Sequence, residues 1–236
     1  MAKVVLILVF WMSPTLACFA GNEPPTSSGA EQKHDVVAAT PGPPPETPLA
    51  DSARASPATR SEDSYGLTVP AGYELQALDV TDGRIAMPKD WFYATRAVPG
   101  GFVWTFSAED PAKGEFKTGL TIQLFMGVEE KTKRSRETFA RVFINEKHKA
   151  VKVVRDCPVK DFGYFRRQCI EVVEDLQEPS GLRRFHILYS VMWFKDMDLV
   201  ALTTFGTPEG NWDAAAPIAD VMSAFVLIGK NAGHSN

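Results

Sequence analysis

The segment LRRFHILYSVMWF, residues 182–194, decides the fold class of this chain of 236 residues. Large apolar side chains occupy every second position along most of it, as in a β-strand with one buried face. These side chains belong to Phe185, Ile187, Tyr189, Val191 and Trp193. Because an apolar face of a sheet must be covered, the segment predicts an antiparallel sheet with an apolar layer packed against it.

Further strands are predicted on both sides of this segment. AVKVVRDC, residues 150–157, and FRRQCIEVVEDL, residues 165–176, precede it, and LVALTTF, residues 199–205, follows it. All three alternate as strands do, and the turn sequences EPSG and KDMD flank the central segment. The sequence therefore predicts a β-meander, in which strands that follow one another along the chain also pair.

Shorter strands are predicted nearer the start of the domain. In YELQALDVTDGRIAMP, residues 73–88, Asp82-Gly83 stands between two alternating runs, and such a pair favours a tight hairpin turn with positive φ. The segments GFVWTFS, residues 101–107, and GLTIQLFMG, residues 119–127, alternate in the same way. We expect all of these segments to be strands with one buried face.

One helix is predicted between these two groups of strands, in RSRETFARVFINEKH, residues 134–148. Ser135 is placed to cap its start, and Glu137 suits the positive end of the helix dipole. The apolar stripe is formed by Phe139, Val142 and Phe143.

A second helix is predicted in APIADVMSAFVLI, residues 216–228, with Pro217 tolerable in the first turn. Its apolar stripe is formed by Ile218, Val221, Met222 and Phe225. This stripe can cover the apolar face of the sheet. The fold class predicted is α+β, with a central antiparallel sheet of about six strands and helices packed on it.

The first 20 residues have the layout of a signal peptide. Lys3 precedes VVLILVFWM, residues 4–12, an apolar run too short to span a bilayer as an ordinary helix. The TLAC that follows ends at Cys18 and resembles the lipobox of bacterial lipoproteins. We therefore predict export and lipidation of Cys18, with cleavage after Ala20 and free secretion or periplasmic release as the alternative.

Composition divides the remainder of the chain into three parts. Residues 21–64 are rich in proline, serine and alanine and poor in large apolar side chains, which predicts a disordered tether. Residues 65–229 hold nearly all the aromatic side chains after the leader and form the predicted globular domain. Residues 230–236 form a short disordered tail. A long tether directly after Cys18 would let an anchored domain lie at a distance from a membrane surface.

The charge pattern excludes one class of partner and leaves another open. The formal net charge is −4, and the domain is nearly neutral, so the basic footprint of a nucleic-acid binder is missing. A local basic cluster opens the first predicted helix and consists of Lys131, Lys133, Arg134 and Arg136. It is either a solvated face balanced by nearby acidic residues or a contact for phospholipid headgroups or an acidic partner.

The cysteines that remain after either cleavage are Cys157 and Cys169, on both sides of a predicted turn at Phe162-Gly163. A hairpin there would bring them face to face, which predicts a disulfide in an oxidising compartment. Two unpaired thiols are the alternative. A thiol enzyme with Cys157 as nucleophile and His148 or His186 as base is the least favoured interpretation.

Three segments of the domain carry a family resemblance. They are IAMPKDW, residues 85–91, FGTPEGNW, residues 205–212, and MSAF, residues 222–225. Together with the order of elements they resemble the PsbP-like superfamily, which includes envelope lipoproteins of the DcrB type. The resemblance implies an α/β/α sandwich whose members chiefly bind other proteins or assist a membrane complex and share no catalytic centre. Function does not follow from fold, so this sets an expectation only.

Trp91 and Trp212 lie in two of these segments, and each is either a packing residue or part of an aromatic groove. Common catalytic and metal motifs, such as H-E-x-x-H and C-x-x-C, are missing from the sequence. We expect a non-catalytic, monomeric envelope protein that binds a protein partner or supports a membrane complex, without cofactor or metal. A module for a small apolar or lipid ligand is the alternative function.

Overall fold

The computed structural model describes residues 61–62, 66–110, 112–113, 116–178 and 181–229. The predicted signal peptide, the lipidation site Cys18 and the tail all lie outside these residues. So does the tether, except for Ser61 and Glu62, which pair with residues 68–69 as a two-stranded ladder.

Twelve strands and three helices are numbered here in chain order. They are β1 (Ser61–Glu62), β2 (Thr68–Val69), β3 (Tyr73–Leu78), β4 (Asp82–Pro88), β5 (Phe92–Val98), β6 (Gly101–Ser107), β7 (Gly119–Met126), α1 (Val128–Thr132), α2 (Arg136–Ala150), β8 (Lys152–Asp161), β9 (Phe165–Glu178), β10 (Gly181–Phe194), β11 (Leu199–Pro208), α3 (Trp212–Met222) and β12 (Phe225–Ile228). A single 3-10 turn, Glu209–Asn211, leads into α3.

The main sheet has seven antiparallel strands in the order β5-β6-β7-β11-β10-β9-β8. Its second half is the predicted meander, since β8, β9, β10 and β11 pair in sequence order. The long central strand β10 aligns Tyr189 with Ile170 on one side and with Thr204 on the other. Successive side chains of a strand point to opposite faces, so Tyr189 faces one layer and Ser190 faces the other.

Helix α2 covers the Tyr189 face of the main sheet. Ser135 caps this helix by accepting a hydrogen bond from the Thr138 amide, as predicted. The ring of Phe143 meets that of Tyr189 edge to face, with the centroids 5.6 Å apart. The predicted stripe is wrong in one member, because Val142 is 38% exposed. Ala140 and Ile144 are the buried residues of the helix, each one position after a predicted phenylalanine, so the buried face is rotated by about a quarter of a turn.

The opposite face carries a second layer made of α3 and a three-stranded sheet in the order β12-β4-β3. The predicted second helix is wrong at both ends. It begins at Trp212, so Pro217 lies inside it rather than in its first turn, and it ends at Met222. Phe225–Ile228 instead forms β12, which pairs with β4. The apolar and β-branched side chains of β12 favour strand pairing. Four residues are too few for their hydrophobic pattern to distinguish a strand from the end of a helical stripe.

The hairpin of β3 and β4 forms as predicted, but its turn lies earlier than expected. Leu78 pairs with Gly83, residues 79–81 connect the two strands, and φ is positive at Val80 and at Asp82, the first residue of β4. Gly83 is already part of β4. A Cβ at Gly83 would collide with the backbone carbonyl groups of Val226 and Leu227 on β12. The glycine therefore permits close strand pairing rather than the turn itself.

The main hydrophobic core lies between the seven-stranded sheet and the second layer. Its largest fully buried side chains are Trp104 and Phe106 on β6, with Ile122 on β7 and Met222 on α3 adding apolar surface. The fold class predicted from the sequence is confirmed: this is an α+β domain built on antiparallel sheets with helices packed on them. The main sheet has seven strands, where about six were expected.

Candidate functional site

The predicted disulfide joins Cys157 of β8 to Cys169 of β9. These residues are direct partners across the ladder, with Cα atoms 4.9 Å apart. The register shifts between Cys157 and Lys160, where Pro158 interrupts the regular pairing. Because the sulfur of Cys157 is bonded to Cys169, this residue is not a free thiol in the structure, and the thiol-enzyme interpretation loses its nucleophile.

The disulfide lies in the wall of a cavity of about 240 Å³, which we call the Arg167 cavity. The Ser190 face of the main sheet forms its floor, and the end of α3 and the start of β12 form its roof. Its polar groups come from β8, β9, β10, β11 and the end of α3, and its apolar walls include Leu188, Phe205 and Phe225. The cavity is thus lined by both charged and apolar side chains.

Ser190 is the buried polar group of the cavity floor. The side chain is 7% exposed, and its hydroxyl has no hydrogen-bond partner among the described residues. The Thr203 hydroxyl, also in the lining, donates to the Ser190 main-chain carbonyl at 3.4 Å. Buried hydroxyl groups nearly always find a partner in folded proteins. The Ser190 oxygen exposes almost no surface, but because it makes no hydrogen bond where it lies, the side chain can turn toward a molecule in the cavity without breaking one.

Arg167 is the half-buried cation of the same cavity. Its Nη1 donates to the Ser223 carbonyl at 3.3 Å, and its guanidinium carbon lies 5.8 Å from the centre of the Phe162 ring. Burial lowers the pKa of this guanidinium from its usual value, because the charged form loses hydration. In the part of the chain that the structure describes, no carboxylate forms an ion pair with Arg167.

A buried polar cluster lies on the same face of the sheet. His186 Nε2 is 2.7 Å from Glu171 Oε1, and the imidazole stacks on Trp212 with ring centroids 3.8 Å apart. The second oxygen of Glu171 accepts from Arg155 at 2.7 Å. Glu171 is the only hydrogen-bond partner of the His186 side chain that the described residues provide. Among the described residues, no nucleophilic side chain is hydrogen-bonded to this pair. Its arrangement therefore fits a structural role, in which buried polar groups beneath α3 satisfy one another's hydrogen bonds.

The turn between β8 and β9, residues 161–164, forms an exposed aromatic tip. Phe162 and Tyr164 are 45% and 65% exposed, and the Phe162 ring stacks on Phe165 at 4.9 Å. Asp161 fixes the backbone of this tip: its carboxylate accepts from Lys195 at 2.7 Å and from the Gly163 amide at 2.9 Å. These bonds, with that from Lys195 the strongest, lower the pKa of Asp161 to about 2.

Two side chains of the predicted basic cluster bind other groups of the domain, and two are exposed. Arg136 pairs with Glu129 at 2.9 Å and also donates to the Phe194 and Met197 carbonyls. Lys131 Nζ donates to the Met126 carbonyl at 2.7 Å. Lys133 and Arg134 are exposed next to α1. A contact with an anionic surface remains a prediction for these two residues.

Both predicted groove tryptophans pack against the core. Trp91 stacks on Phe205 with centroids 6.4 Å apart, and Trp212 contacts both Phe205 and His186. Neither residue lines the Arg167 cavity. The packing interpretation therefore accounts for the position of both.

The described residues offer neither a metal site nor a helix that could span a membrane. These residues contain no group of three or more His, Cys, Asp or Glu side chains arranged to hold a metal ion. No helix among them has the length and apolar character needed to cross a bilayer.

Sequence reasoning missed Arg167 and Ser190. The signal for Ser190 was a small polar residue in the middle of an otherwise apolar strand, on the face opposite Tyr189. Arg167 is one of several arginines on neighbouring strands, and no local pattern distinguishes it from the others. The sequence does not show that its strand neighbours pair with carboxylates while Arg167 does not.

Comparison with known proteins gives fold-level likeness only. No protein-family model and no curated protein matches the chain. Among solved structures, the cyanobacterial PsbP of Synechocystis matches with a TM-score of 0.43 and 15% identity, covering 70% of this chain and 96% of that one. LpqN, involved in cell envelope biogenesis of Mycobacterium tuberculosis, matches with a TM-score of 0.36 and 11% identity, covering 72% and 85%. A protein of Bacteroides thetaiotaomicron matches with a TM-score of 0.41 and 14% identity, covering 67% and 49%. A cyanobacterial PsbP, from the superfamily that the sequence resembles, is thus among the solved structures to which this chain is similar.

Proposed function

We propose that this chain is an exported, lipid-anchored envelope protein that does no chemistry of its own. Its domain docks on a protein partner or supports a membrane complex, and the exposed aromatic tip at residues 161–164 makes the contact. The observation that carries this proposal is the tip itself: two aromatic side chains held outward on a hairpin that a disulfide closes.

The tip has the properties of a binding anchor. Aromatic side chains are enriched at the centres of protein interfaces, where they contribute a large apolar area. Docking costs less when the contact residues are already fixed, because less conformational entropy is lost. Phe162 is fixed by its stack on Phe165, and the turn is held by the bonds to Asp161.

The disulfide and the leader support the location. A bond between Cys157 and Cys169 persists in oxidising compartments and is rare in the cytosol. Cys18, in its lipobox-like context, would carry the lipid, and the tether of residues 21–64 would link it to the domain. Lys133 and Arg134 would face anionic headgroups when the domain approaches the membrane.

The alternative ligand, apolar or lipid, is less well supported. The Arg167 cavity has charged groups in its walls, which a purely apolar molecule would leave without partners. The thiol-enzyme alternative would require the disulfide to be reduced first.

The docking proposal is tested by photo-crosslinking in native membranes. A photo-reactive amino acid at Tyr164 is expected to give a discrete crosslinked product, and Phe162→Ser is expected to reduce its yield. The matched control is a photo-reactive residue at Leu182, which is 73% exposed at the other end of the same sheet. Equal products from Tyr164 and Leu182, or none from Tyr164, would exclude the tip as the docking surface.

The anchor is tested separately by the intact mass of the protein purified from its membranes. A mass that fits cleavage before Cys18 plus diacylglyceryl and acyl groups would support the anchor. An unmodified chain that begins at Gly21 would contradict it and leave the docking result unaffected.

A further inference from the structure

We propose that the Arg167 cavity is a binding site for a small organic anion. The anionic group of the ligand lies on the Arg167 guanidinium, a second polar atom reaches the Ser190 hydroxyl, and an apolar body fills the space against the walls. This inference stands on the cavity alone and does not depend on the lipid anchor or on the docking tip.

The first argument is the Ser190 hydroxyl. It lies on the cavity floor, more than nine-tenths buried, and no described group accepts from it or donates to it. A serine in a strand of apolar residues is otherwise an unfavourable choice, because burial removes its hydration without replacing it. A ligand oxygen in the cavity would complete the missing hydrogen bond once the Ser190 side chain turns toward it, and that turn breaks no existing bond.

The second argument is the charge of Arg167. Its neighbours on the same two strands all have carboxylate partners: Arg166 pairs with Asp161, Arg183 with Glu178 and Arg184 with Asp175. Arg167 lines the cavity, and its one donor contact among the described residues is to a neutral carbonyl. A half-buried cation is costly to desolvate unless an anion accompanies it. The guanidinium fork also matches a carboxylate in geometry, since both groups are planar and can form two parallel bonds.

The other charged residues of the lining are paired or oppose each other, which leaves Arg167 as the group that attracts an anion. Arg155 is already neutralised by Glu171 at 2.7 Å, and Asp156 is engaged by His148 at 2.8 Å. Lys160 and Asp220 are both exposed lining residues with opposite charges, so their effects on a bound anion oppose each other.

The third argument is the size and character of the remaining lining. The volume of about 240 Å³ is below the roughly 300–1,000 Å³ of pockets that bind drug-sized molecules. Leu188, Phe205 and Phe225 offer apolar surface beside the polar groups. A small molecule with one anionic group and a short apolar body fits this combination, whereas an inorganic anion would leave the apolar walls unused.

The test uses the full chain, oxidised and labelled with nitrogen-15, and hexanoate as the probe. Hexanol and hexylamine are the matched neutral and cationic molecules, and inorganic phosphate is the anion without an apolar body. Hexanoate is expected to cause saturable shifts in the amide signals of Ser190, Ser223 and Phe225. The affinity of hexanoate should be at least about tenfold higher than that of each of the three comparison molecules. Only hexanoate combines a charge-assisted hydrogen bond to Arg167 with an apolar body.

Two variants and one control locate the site. Arg167→Gln is expected to weaken hexanoate binding at least about tenfold. Ser190→Ala is expected to weaken it about two- to tenfold while leaving the thermal midpoint unchanged or raised, because an orphaned hydroxyl is removed. Arg184→Gln removes a similar charge from the same sheet outside the cavity and should change nothing.

The proposal is overturned if hexanoate shifts no cavity signal at millimolar concentration, or if hexanol or phosphate binds equally well. It is also overturned if folded Arg167→Gln binds hexanoate with unchanged affinity. Should Arg167→Gln fail to fold, Ser190→Ala decides: unchanged affinity in that variant refutes the site. A photo-crosslinking failure at the aromatic tip would leave these outcomes untouched.

Discussion

The disulfide between Cys157 and Cys169 gives the most direct prediction of stability. Replacing both cysteines by alanine opens a loop that spans a sequence separation of 12 residues. In the chain-entropy treatment, a cross-link over a loop of that size removes about 10 cal/mol/K of entropy from the unfolded chain, or about 3 kcal/mol at room temperature. We expect the free energy of unfolding to fall by that amount.

The assay is urea unfolding of the full chain, together with its thermal midpoint. For a domain of this size, a loss of about 3 kcal/mol lowers the midpoint by about 6–12 °C. Reductant should lower the wild-type midpoint to that of the double variant and leave the variant itself unchanged. The variant therefore serves as the control for any effect of the reductant other than cleavage of the bond.

A loss below about 1 kcal/mol would refute the reasoning, because it would mean that the unfolded chain is scarcely constrained by the bond. The same holds if reductant destabilises the wild type and the variant equally.

Three further predictions concern packing and pH. Gly83→Ala should destabilise the domain by about 1–3 kcal/mol in urea unfolding, because its Cβ meets backbone carbonyls of β12, whereas Gly210→Ala, with open space around it, should stay within about 0.5 kcal/mol. Ile144→Ala should cost about 2–4 kcal/mol in the same assay and Val142→Ala much less, since these residues are 2% and 38% exposed. The pKa of Asp161 is lowered to about 2 in the folded protein from the usual 3.8, so its bonds stabilise the fold above pH 3.8, and that contribution is lost as the pH falls through 2. Asp161→Asn should therefore flatten the dependence of the urea midpoint on pH in this acid range, and an unchanged slope would contradict the assignment.

The long strands were the part of the fold most visible in the sequence. In β10 every second residue from Phe185 to Trp193 is apolar, and an alternation of that length has only one structural interpretation. The register of the β8–β9 hairpin followed from its two cysteines and a glycine turn, and Gly163 indeed has φ of 87°. Ser135 predicted the start of α2 because capping is a local interaction.

Features that depend on distant neighbours were predicted less well. Phe225–Ile228 is a strand because β4 is there to pair with it, and nothing in four residues reveals that partner. Gly83 was assigned to a turn because Asp-Gly favours turns, while its actual constraint is the close approach of β12. The Arg167 cavity forms where the main sheet meets the layer of α3 and β12, so no local sequence pattern predicts that its hydroxyl and its cation lack partners.

β8 is an edge strand of the main sheet, and its sequence affects whether two copies of the chain can pair through their sheets. An outer strand exposes unpaired backbone groups that can recruit a strand from another molecule and begin aggregation. β8 carries two register irregularities, and Pro158 lacks the N–H that a recruited strand would need. Charged side chains such as Lys152 and Lys160 line the same strand. These features make β8 a poor partner for a strand of another copy, so copies of the chain can lie close together without pairing through this edge.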